Sequence, residues 1–204
     1  MQTKWLFTLL LVSVISNSWA GEFECGSLKN QYGPFDYTNP RHFKEKLSIV
    51  EQFHFNRDVE TLNKGMTGAV IGDLSYTLKA FPNHHRALFS VVKYYTQPNV
   101  ELDRKYLSAE CFFDRALRFK PDDAVVHMLY GIYLHKKQKY DEALKKYQNA
   151  LRLSPNFAEL HYNLGLLYID MKKLQEAKNH AQKAYQQGYP LAGLKQKLNA
   201  AGVW

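Results

Sequence analysis

A chain of 204 residues, 46% hydrophobic, 23% charged and 14% aromatic, can bury one ordinary core and is too short for two comfortable domains. Eleven Gly and seven Pro exclude a collagenous or low-complexity chain, and two Cys exclude a disulfide-dense miniprotein. The formal charge of +8, from 27 Lys and Arg against 19 Asp and Glu, permits acidic proteins, anionic lipid or nucleic acid as partners and says little about fold.

Residues 1–20 begin with Lys4, run apolar from Trp5 to Ile15 with breaks at Thr8 and Ser13, and end with Ser18 and Ala20 at small-residue cleavage positions. This pattern predicts a secretory signal peptide cut after Ala20. The apolar run is about half of the ~20 residues a spanning helix needs, and nothing after Ala20 extends it into an uncleaved anchor. Glu22-Phe23-Glu24 before Cys25 does not form a lipidation box. The mature chain is therefore expected to be exported, into a periplasm, with no transmembrane span and no nucleic-acid partner. An oxidising compartment favours a disulfide between Cys25 and Cys111, and a buried thiol at Cys111 beside Phe112-Phe113 is the alternative.

Residues 21–42 show no period and are punctuated by Gly33-Pro34 and Asn39-Pro40, which predicts an irregular, aromatic-bearing arm. Residues 43–82 read as an N-terminal helical cap with a partial repeat. Phe43, Leu47, Val50 and His54 mark one helix face, and Val59 to Leu62 starts a second short piece. Gly65, Gly68 and Gly72 interrupt the chain, and Leu74, Thr77, Leu78 and Pro82 echo the end of a repeat.

The stretches 122–155 and 156–190 align at a shift of 34 residues. His127 falls on His161, Gly131 on Gly165, Leu134 on Tyr168, Ala143 on Ala177 and Ala150 on Ala184. A further shift of 34 places Ala109, Phe113, Ala116 and Pro121 under Ala143, Tyr147, Ala150 and Pro155, so 83–121 is an earlier unit carrying about five extra residues within Thr96 to Asp103. Mid-helix Gly131 and Gly165 each cost about 1 kcal/mol of helix propensity, so a neighbouring helix backbone is expected to approach closely there. Leu191, Leu194 and Leu198 predict a capping helix within 191–204, with Val203 and Trp204 folded back or exposed.

This pattern of aromatic or apolar residue, Gly, aromatic, then small-residue and Pro landmarks resembles the tetratricopeptide repeat (TPR) family over 83–190. The resemblance implies an all-α fold, an α-solenoid of about three TPR-like helix pairs with an irregular N-terminal arm and a C-terminal capping helix. It further implies that the first helices of successive repeats line a concave groove for a peptide or helix of another protein. Carried over by position, the groove set is Arg86, Phe89 and Lys93 from the first unit, and Val125, Met128, Ile132 and His135 from the second. The third unit contributes Glu159, Tyr162, Asn163, Leu166, Ile169 and Asp170. Only Lys93 and Asn163 resemble the residues with which one subset of the family grips C-terminal carboxylates.

No nucleophile elbow, phosphate loop, dinucleotide fingerprint or metal-ligand spacing occurs, so no catalytic residue, cofactor or metal is expected. His127 and His161, sharing a repeat position, are expected to be structural, while His84-His85 is expected to be exposed at a helix start. The function expected is a non-enzymatic protein–protein interaction scaffold or assembly factor of the cell envelope. The alternatives are a periplasmic small-molecule or metal carrier and a self-assembling subunit. Peripheral contact with an envelope assembly stays open, as does the oligomeric state.

Overall fold

A computed structural model of the chain describes residues 25–98, 100 and 105–204; the expected signal segment and the first residues of the arm lie outside them. The described residues contain helices and no strand. A turn at Pro40–His42 and a π-helical step at Phe43–Leu47 lead into α1 (Ser48–His54), followed by the single turn α2 (Arg57–Glu60) and by α3 (Val70–Ala80). Three helix pairs come next: α4 (His85–Tyr95) with α5 (Ala109–Phe119), α6 (Ala124–Lys136) with α7 (Tyr140–Leu153), and α8 (Ala158–Asp170) with α9 (Leu174–Gln186). The cap is α10 (Gly193–Ala200). No helix among the described residues is long and apolar enough to cross a membrane.

The chain is an α-solenoid of helix pairs: α4 packs on α6, α6 on α8, and α8 and α9 on α10. The repeat dictates its crossings. Ala143, Ala150, Ala177, Ala181 and Ala184 are all 0% exposed, which lets the second helices seat closely against their neighbours. One core runs from Phe55 to Leu167 through Leu88, Val91, Phe113 and Leu134. A second, at the C-terminal end, joins the alanines of α9 to Leu194 and Leu198 of the cap. Leu191 precedes the capping helix and is 54% exposed, so it is no part of the packed face predicted for it.

Turn chemistry follows the same period. The turns closing α6 and α8 place Gln138 and Lys172 at φ of 60° and 62°, and each is followed by a hydrogen bond back into the helix, Lys139 N to Leu134 O and Lys173 N to Tyr168 O. This is a Schellman ending, here made without glycine. Ser108 and Asp123 cap α5 and α6 with side-chain oxygens, as their residue types favour.

At the N-terminal end the expected helix face is only half realised. Leu47 and Val50 are buried, but Phe43 is 50% exposed, because the π-helical step between them shifts the register. Phe35 and Tyr37 of the arm pack around Ala80 and Phe81. Below that packing lies a polar network. Asn83 donates to Asp36 and Asp123, Lys120 donates to Asp36 at 2.8 Å, and the ring of His85 meets Asp123 at 2.9 Å. Burial alone would raise the Asp36 and Asp123 carboxyls, but these hydrogen bonds outweigh it and hold both below the usual range. His84 is 0% exposed, its Nδ1 accepts from Ala87 N as a helix cap, and its Nε2 meets Glu51. The expectation of exposed histidines at this helix start is thereby corrected: the arm and α1 cover them. Cys25 and Cys111 form a disulfide with their Cα atoms 5.0 Å apart, and Arg115 and Arg118 of α5 donate to the backbone carbonyls of Ser27 and Gly26.

Candidate protein-interaction groove

The first helices α4, α6 and α8 lie side by side and bound a cleft of about 570 Å³. Of the residues expected to face a groove, Phe89, Ile132, His135, Glu159, Tyr162, Asn163, Leu166 and Asp170 line it. Their grouping follows from the helical period, since Glu159, Tyr162, Asn163, Leu166 and Asp170 recur at three- and four-residue intervals on α8. Phe89 is 43% exposed, an apolar side chain open to solvent on the wall. His135 Nε2 meets Asp170 Oδ2 at 2.8 Å and bridges α6 to α8.

Five expected residues do not line the cleft. Arg86 pairs with Glu51 of α1 and Glu60 of α2, the Glu60 carboxylate first of all, which raises its already high pKa. Lys93 donates to the Glu60 carbonyl and lies over the Phe89 ring. Met128 is 2% exposed and Val125 packs against the main core, while Ile169 packs against the C-terminal core. The N-terminal cap thus takes up the two cations of α4, and Lys93, one of two residues resembling a carboxylate clamp, is committed elsewhere.

Other lining residues come from places that first-helix reasoning does not reach. Lys136 ends α6, Gln138 lies in the turn that follows, Tyr140 starts α7 and Tyr147 lies within it, while Tyr189 and Leu191 belong to the segment before the cap. A signal for Tyr147 was present: the equivalent positions hold Phe113 and Ala181, so only this repeat puts a hydroxyl there.

The polar groups of the cleft are unevenly satisfied. Asn163 Nδ2 donates to its own helix at Glu159 O, 2.9 Å away, and lies 4.0 Å from the Met128 sulfur. Burial pushes the Glu159 carboxyl up. Burial, reinforced by the Glu159 charge, pushes the Tyr189 phenol up to about 12 and the Tyr147 phenol further still. The Tyr162 and Tyr189 rings lie 4.6 Å apart.

Stacked helix pairs with a 34-residue period and small residues at each crossing define a TPR-type solenoid. Residues 131–172 match the family described as TPR repeat. Among solved structures, a thermophilic TPR protein of Thermus thermophilus superposes with a TM-score of 0.58 at 21% identity, covering 80% of this chain and 87% of that one. That likeness establishes the fold. MamA of strain AMB-1 superposes with a TM-score of 0.45 at 20% identity, covering 78% of this chain and 90% of that one. No curated protein matches the sequence. TPR folds serve in general as scaffolds for protein–protein interaction.

Proposed function

We propose that this chain is an exported, non-enzymatic scaffold or assembly factor of the cell envelope, and that it holds an extended peptide or a helix of a partner protein in the cleft between α4, α6 and α8. The observation that carries this reading is the cleft itself: about 570 Å³ open to solvent, with Phe89 and Leu191 exposed on its walls. Apolar walls with a few polar groups suit a peptide-sized ligand. The N-terminal signal pattern supports an envelope location.

Site-specific photo-crosslinking tests it. A crosslinker at Leu166 inside the cleft is compared with one at exposed Lys145 on α7, in cells expressing the chain with its own signal segment. A discrete adduct at Leu166 alone, from a protein in the periplasmic fraction, is the expected result. Identical adducts at both positions, or none, would remove the groove reading, and retention in the cytoplasm would remove the envelope location.

A further inference from the structure

The cleft holds two polar groups that the described residues leave without partners. Tyr147 is 0% exposed, its ring lies against α6 where Gly131 makes room, and its hydroxyl is buried with no hydrogen-bond partner. Packing does not call for that hydroxyl, since Phe113 and Ala181 fill the same position in the neighbouring repeats. A buried hydroxyl without a partner is destabilising, so its presence points to something that satisfies it. Glu159 is half-buried and makes no ion pair or side-chain hydrogen bond among the described residues. A helix start does not require the acid either, because Val125 occupies the corresponding place on α6. Glu159 lines the same cleft as Tyr147 and Tyr189, and its charge bears on both phenols.

The walls of the cleft are aromatic. Tyr162 and Tyr189 lie 4.6 Å apart, and Phe89, over whose ring Lys93 already lies, is still 43% exposed; aromatic faces attract cations. An acidic side chain entering here would set a like charge against the half-buried Glu159 carboxylate, and a neutral one would at best give it an uncharged hydrogen bond, which penalises both relative to a basic one.

We propose that the cleft receives a basic side chain, lysine or arginine, of an extended partner segment, with its cationic head held by the Glu159 carboxylate and the Tyr147 hydroxyl and its stem along Phe89 and Leu166. This rests on the reading that the cleft binds a peptide, and it names the chemistry that would be selected. The chain's charge of +8 opposes a basic ligand, so a preference for one would have to arise locally.

The test uses degenerate nonapeptide pools that differ only in a fixed central residue, Lys, Arg, Gln or Glu, passed over the immobilised protein. The wild type is expected to retain the Lys and Arg pools about tenfold over the Gln pool, as a charge-assisted contact in a partly buried site allows. Glu159→Gln should bring the pools within about twofold of one another. Tyr147→Phe, which keeps the ring against Gly131, should reduce the preference while melting no lower than the wild type. Equal retention of all pools by the wild type, with binding abolished by Leu166→Glu, would overturn this inference and leave the peptide-binding reading standing. Retention of no pool would overturn both. A cation preference that survives Glu159→Gln in a folded variant would also overturn it.

Discussion

The second and third repeats, 122–155 and 156–190, build the same helix pair from different fillings. Against Gly131, a Cβ would meet the Tyr147 ring at 2.5 Å; against Gly165, a Cβ would meet Leu194 of the capping helix at 2.5 Å and the Ala177 carbonyl at 3.3 Å. Position 181, equivalent to 147, is Ala, and the space it leaves is taken by the cap. The glycines therefore admit side chains more than a neighbouring backbone, which corrects the expectation drawn from their helix propensity. The shared histidine shows the same contrast. His127 and His161 both donate from Nε2 to the proline carbonyl six residues before them, at 2.9 and 3.0 Å. In the third repeat, Nδ1 of His161 then accepts from His180 at 2.9 Å; in the second, Lys146 stands at that position, turns onto the Tyr130 ring, and leaves His127 Nδ1 without a partner. What repeats is what the backbone geometry needs, and what varies is the material that completes each pair.

Removing the fillings should give the largest effects. Tyr147→Ala should cost about 3–5 kcal/mol by opening a cavity inside the main core, whereas Leu194→Ala should cost about 2–4 kcal/mol. Because α10 is terminal, the second loss should appear as early exchange of α10 and α9 amides rather than a lower global midpoint, and hydrogen exchange beside urea melts separates the two. Next comes Gly131→Ala, which should destabilise by about 1–3 kcal/mol because the fully buried Tyr147 ring cannot yield. Gly165→Ala should cost less, since the flexible end of Leu194 can move; equal losses in a thermal melt would show that the two sites are not distinguished by what fills them.

Smaller effects sharpen the histidine contrast. Burial first, then His161 and Lys183, lower His180 to about 4, below its ordinary value near 6.5. The unfolded chain therefore takes up this proton at higher pH than the folded one. Stability from this residue is complete above about pH 6.5 and is lost as pH falls toward about 4, with a slope of at most about 1.4 kcal/mol per pH unit. His180→Gln, which can still donate to His161, should flatten the melting temperature across that window. A residual slope should remain from His84, His127 and His161, which burial also lowers. Last, Gln138→Gly and Lys172→Gly should each stabilise by about 0.5–1 kcal/mol by relieving a left-handed backbone that glycine adopts freely, as Gly188 already does after α9. No gain in the melting temperature would sink that account.

The solenoid was legible because packed positions repeat. Ala143 and Ala177 at packed positions, Gly131 and Gly165 beside a filling side chain, and the proline stops after the helices recur at equivalent places, so one alignment gives the architecture. The cleft was legible where a single helix carries it, as α8 does. It was not legible at Arg86 and Lys93, whose partners Glu51 and Glu60 come from the N-terminal cap, outside the period. His84 and His85 were misplaced for the same reason: the groups burying them lie far away in sequence, in the arm, in α1 and at Asp123. Tyr147 escaped because a groove drawn from first helices takes no account of a second-helix ring that reaches it through the space beside a glycine.

The bond between Cys25 and Cys111 also sets how the molecule carries a mechanical load. Tension applied through the chain ahead of Cys25 enters the solenoid at Cys111 on α5, because the disulfide is the shorter covalent path. The arm, α1 to α3 and α4, within a loop of sequence separation 86, lie off that covalent path. A tether at the N-terminus would therefore tug on the repeats at α5 and leave Asp36, Asn83 and His85, inside the loop, off the covalent path, with their partners Lys120 and Asp123 on it. Reducing the disulfide would move the point of attack to the arm, whose contacts with Arg115 and Arg118 would be loaded first and those with Ala80 and Asn83 next.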